Sequence, residues 1–237
     1  MKYSALNTVF ILLIFLIIGL VFGACETAPK SLTEFDEADL MGVVYDGRAR
    51  SVQDYAIVVD DLISISSDVN GRFTIPSLKN GTHHIKGTKL GYQSVVMDFD
   101  YQHRTQFLYL TSNALIDYLN DAELALAKKD YLLAQSNVSL ALSIDAKNVM
   151  AMYLQALIAN NLNDSVKAYQ IIQDLIDLQV KDEAVYLLLL DIAKNNQELR
   201  PKILTSLQDN PGIMANPRLK NRINKLMPAP VPKENKP

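Results

Sequence analysis

The feature that most constrains this chain is a 34-residue period in its second half. A shift of 34 places Tyr118 over Met152 and Tyr186, Ala122 over Ala156, and Ala125 over Ala159 and Ala193. The same shift pairs Asp130 with Asp164, Ala134 with Ala168 and Val138 with Ile172. Apolar positions within each unit recur at helical spacing. The alanines are small where two helices must approach closely, and Tyr118, Val138 and Ile172 fill the space between units. One helix pair cannot bury its apolar face alone, so such units have to stack. An ordinary helical bundle would need these coincidences at one fixed shift to be chance. Residues 112–209 are therefore expected to form an α-helical solenoid of two complete units and a third, degenerate one. Tyr186, Leu190 and Ala193 keep the register in the third unit's first helix, and the segment from Pro201 loses it.

The pattern of aromatic, small, small and large residues resembles the tetratricopeptide repeat, and Lys129-Asp130-Tyr131 stands where that family turns between helices. Departures are the lack of any Trp, Asp121 and Gln155 in place of Leu, and Ala146 in place of Pro. The resemblance implies a concave groove, lined by the first helices, that holds an extended or helical peptide. Transferred by position, that groove takes Leu119, Glu123 and Leu126 from the first unit. It takes Tyr153, Leu157, Asn160 and Asn161 from the second, and Leu187, Asp191, Lys194 and Asn195 from the third. Asn160, Asn161 and Asn195 are amides able to hold a peptide backbone or terminal carboxylate. The competing reading makes the leucines core and the asparagines helix ends.

Residues 40–110 alternate with a period of two instead. Candidate strands are 40–45, 55–59, 62–66, 72–75, 83–88, 93–99 and 106–110, punctuated by Asp46-Gly47, Asn70-Gly71 and Asn80-Gly81. Seven short strands with turn signals at such intervals predict a β-sandwich. Gly42-Val43-Val44-Tyr45-Asp46, the hairpin Asp68-Val69-Asn70-Gly71-Arg72-Phe73 and the pair Gly91-Tyr92 resemble the carboxypeptidase regulatory-like domain, a transthyretin-type sandwich. That resemblance implies a spacer or binding platform without peptidase activity. The chain departs from it by having Arg48-Ala49-Arg50 where Gly-x-Pro is usual. Asp46, Asp68 and Asn70 lack the spacing of a calcium loop and read as turn residues.

At the N-terminus Lys2 precedes sixteen residues, 9–24, without a charge, ending Phe22-Gly23-Ala24-Cys25. Gly23, Ala24 and Cys25 resemble the lipobox of bacterial lipoproteins, from which Phe22 departs. The resemblance implies a signal peptide over 1–24, cleavage before Cys25, a diacylglyceryl thioether on its sulfur and an acyl chain on the new amino terminus. Two or three chains anchor stably where one does not. An uncleaved membrane span is the alternative, and both export the remainder. Residues 25–39 hold five acids against Lys30 and read as a lipidated, acidic tether. Residues 210–237 read as a capping helix over 216–227 and a basic, Pro-rich tail.

Chemistry is thinly represented. Cys25 is the only cysteine, so no internal disulfide and no Cys-based metal site can form. His83, His84 and His103 are the only histidines, and adjacent residues on a strand point to opposite faces. No nucleophile, phosphate-loop or zinc-protease motif occurs. A net charge of −3 does not provide the broad basic face that nucleic acid requires. The expectation is a multidomain β + α envelope lipoprotein, not an enzyme, without cofactor or metal. It acts as an interaction module that binds an envelope protein or peptide through the helical groove. The alternative is a glycan- or peptidoglycan-binding lipoprotein that uses the sandwich. Oligomeric state is left open.

Overall fold

A computed structural model describes residues 35–227, seven strands followed by eight helices. The signal segment, Cys25 and the tail beyond 227 lie outside the described residues. The strands are β1 (Glu37–Tyr45), β2 (Ala56–Val59), β3 (Ile63–Ser66), β4 (Arg72–Lys79), β5 (Gly81–Thr88), β6 (Val95–Tyr101) and β7 (Phe107–Thr111). They form a three-stranded sheet in the order β4-β1-β7 and a four-stranded sheet in the order β3-β2-β5-β6. β1 pairs antiparallel with β4 and parallel with β7.

Alternation drives the packing. Phe73 and Ile75 on β4, and Leu108 and Leu110 on β7, turn inward between exposed neighbours. They meet Ile57, Val59, Ile85 and Tyr55 in one core. Gly42 is required there, because a Cβ at that position would stand 2.2 Å from the Phe73 ring. Two turns fix the hairpins. Asp68 Oδ1 accepts from the N–H groups of Asn70 and Arg72, both at 2.8 Å, while Gly71 takes φ +73°. Asp60 and Asp61 both take positive φ between β2 and β3, the shape of a type I′ turn.

The β unit begins earlier than residue 40. Phe35 is buried edge-on against Tyr101, and Glu37 and Ala38 pair with Lys79 and Leu78. Charge dominates the composition of 26–39 and hides this: a single apolar residue among five acids is enough to plug the sandwich. Residues 35–39, expected in the tether, thus belong to the β unit.

The helices are α1 (Leu115–Ala127), α2 (Tyr131–Ile144), α3 (Val149–Asn161), α4 (Ser165–Asp177), α5 (Glu183–Asn195), α6 (Arg200–Gln208), α7 (Pro211–Met214) and α8 (Pro217–Leu226). Their starts at Leu115, Val149, Glu183 and Pro217 are each 34 residues apart. So are the side-chain N-caps Asn148, Asp182 and Asn216, and likewise Asp130 and Asp164. Lys129 and Asn163, 34 apart, both take the left-handed shape that ends a helix. α3 packs on both α1 and α2, α5 on both α3 and α4, and α8 on both α5 and α6. Ala122, Ala134, Ala141, Ala156 and Ala168 are wholly buried where these helices approach. No described helix is long and apolar enough to cross a membrane.

Candidate functional site

The first helices α1, α3 and α5 carry the residues assigned to the groove, and the structure sorts them. Leu119 is buried, and Leu126, Leu157 and Leu187 pack against the helical cores. Leu119 is thus core, and the other three are half-buried against the helical cores. Glu123, Asn161, Asp191, Lys194 and Asn195 are exposed, and Tyr153 and Asn160 are half-buried. Asn161 is committed locally: its Nδ2 donates to Leu157 O at 2.8 Å, and Tyr131 Oη lies 3.5 Å from its Oδ1. It secures the end of α3 against α2. Asn160 differs, since its Oδ1 is buried without a hydrogen-bond partner. Leaving an acceptor so costs about 1–3 kcal/mol, and because this atom is sealed from solvent a chain docked on the surface does not reach it as it stands.

Tyr153 stands between α3 and α5. Burial first, and then the negative charges of Asp182 and Asp191, push its phenol above the ordinary tyrosine range. Asp191 and Lys194 do not face open solvent alone. With Leu190 they line a cleft of about 230 Å³ against Arg222, Lys225 and Leu226 of α8, and Asp191 Oδ1 lies 3.7 Å from Arg222 Nη1. The chain's own last helix therefore engages these two. Arg222 and Lys225 are the members of this face that the sequence reading missed. One further step of 34 would have found Lys225, since Glu123, Leu157, Asp191 and Lys225 share one repeat position. At the foot of α8, Glu183 Oε2 accepts from Asn216 Nδ2 at 3.2 Å. Its Oε1 sits 3.1 Å from Arg218 Nη1 as an ion pair without hydrogen-bond alignment.

A second cluster joins the sandwich to the helices. Asp46, buried at the end of β1, accepts from the N–H groups of Arg48 and Arg50, each at 2.9 Å, and from Arg50 Nε at 2.6 Å. Burial would raise its carboxyl, but those N–H groups and the Arg50 guanidinium outweigh burial and hold it below the ordinary range. Arg50 Nη2 also donates to Asp117 on α1, a carboxylate that is itself buried. Arg48 reaches Asp117 at 3.5 Å and Asp121 at 2.8 Å. Backbone bonds add to this, Leu115 N–H to Gly91 O at 2.8 Å and Gln93 N–H to Asn113 O at 2.9 Å.

The rings of His83 and His84 have partners on neighbouring strands and turns. His83 Nδ1 is 2.6 Å from Asp60 Oδ2 and its Nε2 is 2.8 Å from Lys79 O, while His84 Nδ1 is 2.8 Å from Asp98 Oδ1. The hydrogen bond from His83 holds the Asp60 carboxyl below its ordinary range. Among the described residues no three His, Cys, Asp or Glu side chains are placed to hold a metal.

No family model and no curated protein matches the chain. Among solved structures it is similar to a streptococcal ancillary pilin, at 17% identity over 34% of this chain and 30% of that one, with a TM-score of 0.30. The chain thus spans under a third of that pilin, and at this level the likeness assigns neither fold nor function.

Proposed function

We propose that the chain is an exported, lipid-anchored, non-catalytic interaction protein of a bacterial envelope. In this reading acyl chains on Cys25 hold it to a membrane. The sandwich spaces the helices from the bilayer, and a tetratricopeptide-like array binds an envelope protein or peptide. The observation that carries it is the run of four first helices at one 34-residue spacing, with Glu123, Tyr153, Asn160, Asp191 and Lys225 along them. Stacked first helices give a continuous surface suited to an extended chain. The mixed charges of exposed Glu123, Asp191 and Lys225 suit a polypeptide with charged side chains.

Photocrosslinkers placed singly at Glu123, Tyr153 and Lys225 in intact cells test it. A shared adduct is expected from these positions and none from Ser139 on α2, which is also exposed. Equal labelling at Ser139, or no adduct at the three positions, sinks the reading. The anchor is tested separately. Cys25→Ser should lose an incorporated acyl label, and unchanged membrane attachment in that variant would mean an uncleaved helix instead.

A further inference from the structure

The outer face of the β4-β1-β7 sheet breaks the rule that a solvated sheet face is polar. Met41 is 58% exposed, Tyr45 40%, Phe107 38% and Tyr109 69%. Register arranges this face in rows across the sheet, Thr74–Met41–Phe107 and Arg72–Val43–Tyr109. The Phe107 and Tyr109 rings lie 4.8 Å apart between centroids, tilted by 47°. They form one wall of an open groove of about 680 Å³, with Arg72, Thr74 and Asp68 across from them. Asp68 is occupied by its own turn, whereas the Arg72 guanidinium has no ion pair or hydrogen bond among the described residues.

We propose that this groove binds a glycan strand bearing carboxylates, with sugar rings stacked on Phe107 and Tyr109 and a carboxylate on Arg72. Pyranose rings offer an apolar C–H face to an aromatic ring and hydroxyls around the rim, where Thr74 and the tyrosine hydroxyls can meet them. An unpaired guanidinium selects a planar anion through paired N–H donors. Two inter-strand spacings separate the backbones of Arg72 and Tyr109, about 10 Å, which is room for two linked sugar rings.

Other occupants fit less well. Three strands by five residues give a face of roughly 200–300 Å², far below the ~800 Å² per partner of a stable dimer. A bilayer cannot follow a concave groove, and exposed Glu37 and Asp39 at the start of β1 are repelled by anionic lipid. A polypeptide strand would add at the free edge of β4 or β7, beside this face and not across it.

This goes beyond the array's role and does not depend on it, so either can fail alone. The test uses the full chain in detergent with Tyr109→Trp as reporter, since the chain has no other Trp. The probes are muramidase-released disaccharide-peptides of peptidoglycan, which carry carboxylates, and the neutral N-acetylglucosamine hexamer. Saturable Trp emission changes are expected, with the acidic probe bound at least tenfold more tightly. Arg72→Gln should erase that preference, and Phe107→Ala should weaken binding about tenfold with the thermal transition unchanged. Absence of a saturable response, equal affinity for both probes, or indifference to both variants overturns the proposal. Quenching of this Trp by brominated lipid in phosphatidylethanolamine–phosphatidylglycerol vesicles would show that a bilayer covers the face, and also overturns it.

Discussion

Asp117 ties the β unit and the first helix together. Arg48 and Arg50 lie far from Asp121 in sequence, and the structure brings them to one cluster with Asp117. Removing one partner of a buried ion pair costs about 3–5 kcal/mol, but both arginines here are about half exposed and water screens them. Asp117→Ala is therefore expected to destabilise the chain by about 1–2 kcal/mol, read from urea unfolding at neutral pH. Acid should act on this cluster through Asp46, and on the β2–β3 turn through Asp60. Asp46 and Asp60 are held below their ordinary range in the folded chain, so the unfolded chain takes up protons first as pH falls. Their stabilisation is complete above about pH 4, the ordinary carboxylate range, and is lost below it. The urea midpoint should fall between pH 5 and pH 3, and Asp46→Asn should flatten that slope. Single residues were also where sequence reading failed. Phe35 is one apolar residue in an acidic run, and Arg48 and Asp121 each look like noise until their contact is seen.

At the scale of elements, α8 shows why a repeat becomes illegible before it ends. Its start keeps the 34-residue step, yet Lys220 stands where Tyr118, Met152 and Tyr186 stand, and Asn224 where Ala122, Ala156 and Leu190 do. Both are exposed on α8. In the earlier units a following second helix covers those positions, and no described helix follows α8. The small and aromatic residues are missing there, where no described helix packs on them, while the caps and spacing persist. The β strands were legible from their turn residues and, in strands such as β4, from apolar Phe73 and Ile75 alternating with polar Arg72 and Thr74. What α8 does bury is firm: Leu219 and Ile223 join the core of the later units. Ile223→Ala should cost about 2–4 kcal/mol. Hydrogen exchange should speed in α5, α6 and α8 while β1 and β7 keep their protection.

At the scale of the whole molecule, the ion-pair cluster and the backbone bonds at Gly91 and Asn113 join two units that could otherwise swing on a linker. The ion pairs are the part that salt reaches. Spin labels on Ser64 and Ser139, both exposed, should report one narrow distance distribution in the natural chain. Arg48→Ala with Arg50→Ala should broaden it without unfolding either unit, because the backbone bonds remain. An unchanged width would show that the ion pairs are not needed for the alignment. Order of this kind was invisible in the sequence, where the two units read as separate modules with no sign of how they meet.

The parallel pairing of β1 with β7 also has a mechanical meaning. The chain enters the sandwich at the start of β1 and leaves for the helices at the end of β7. A pull between the N-terminal side and the helices therefore slides these two neighbours lengthwise past each other. The paired residues from Met41–Phe107 to Tyr45–Thr111 would then carry the load together and would have to give way at once, where a hairpin would unzip one bond at a time. Between the two ends of the described chain this one joint is built to bear tension.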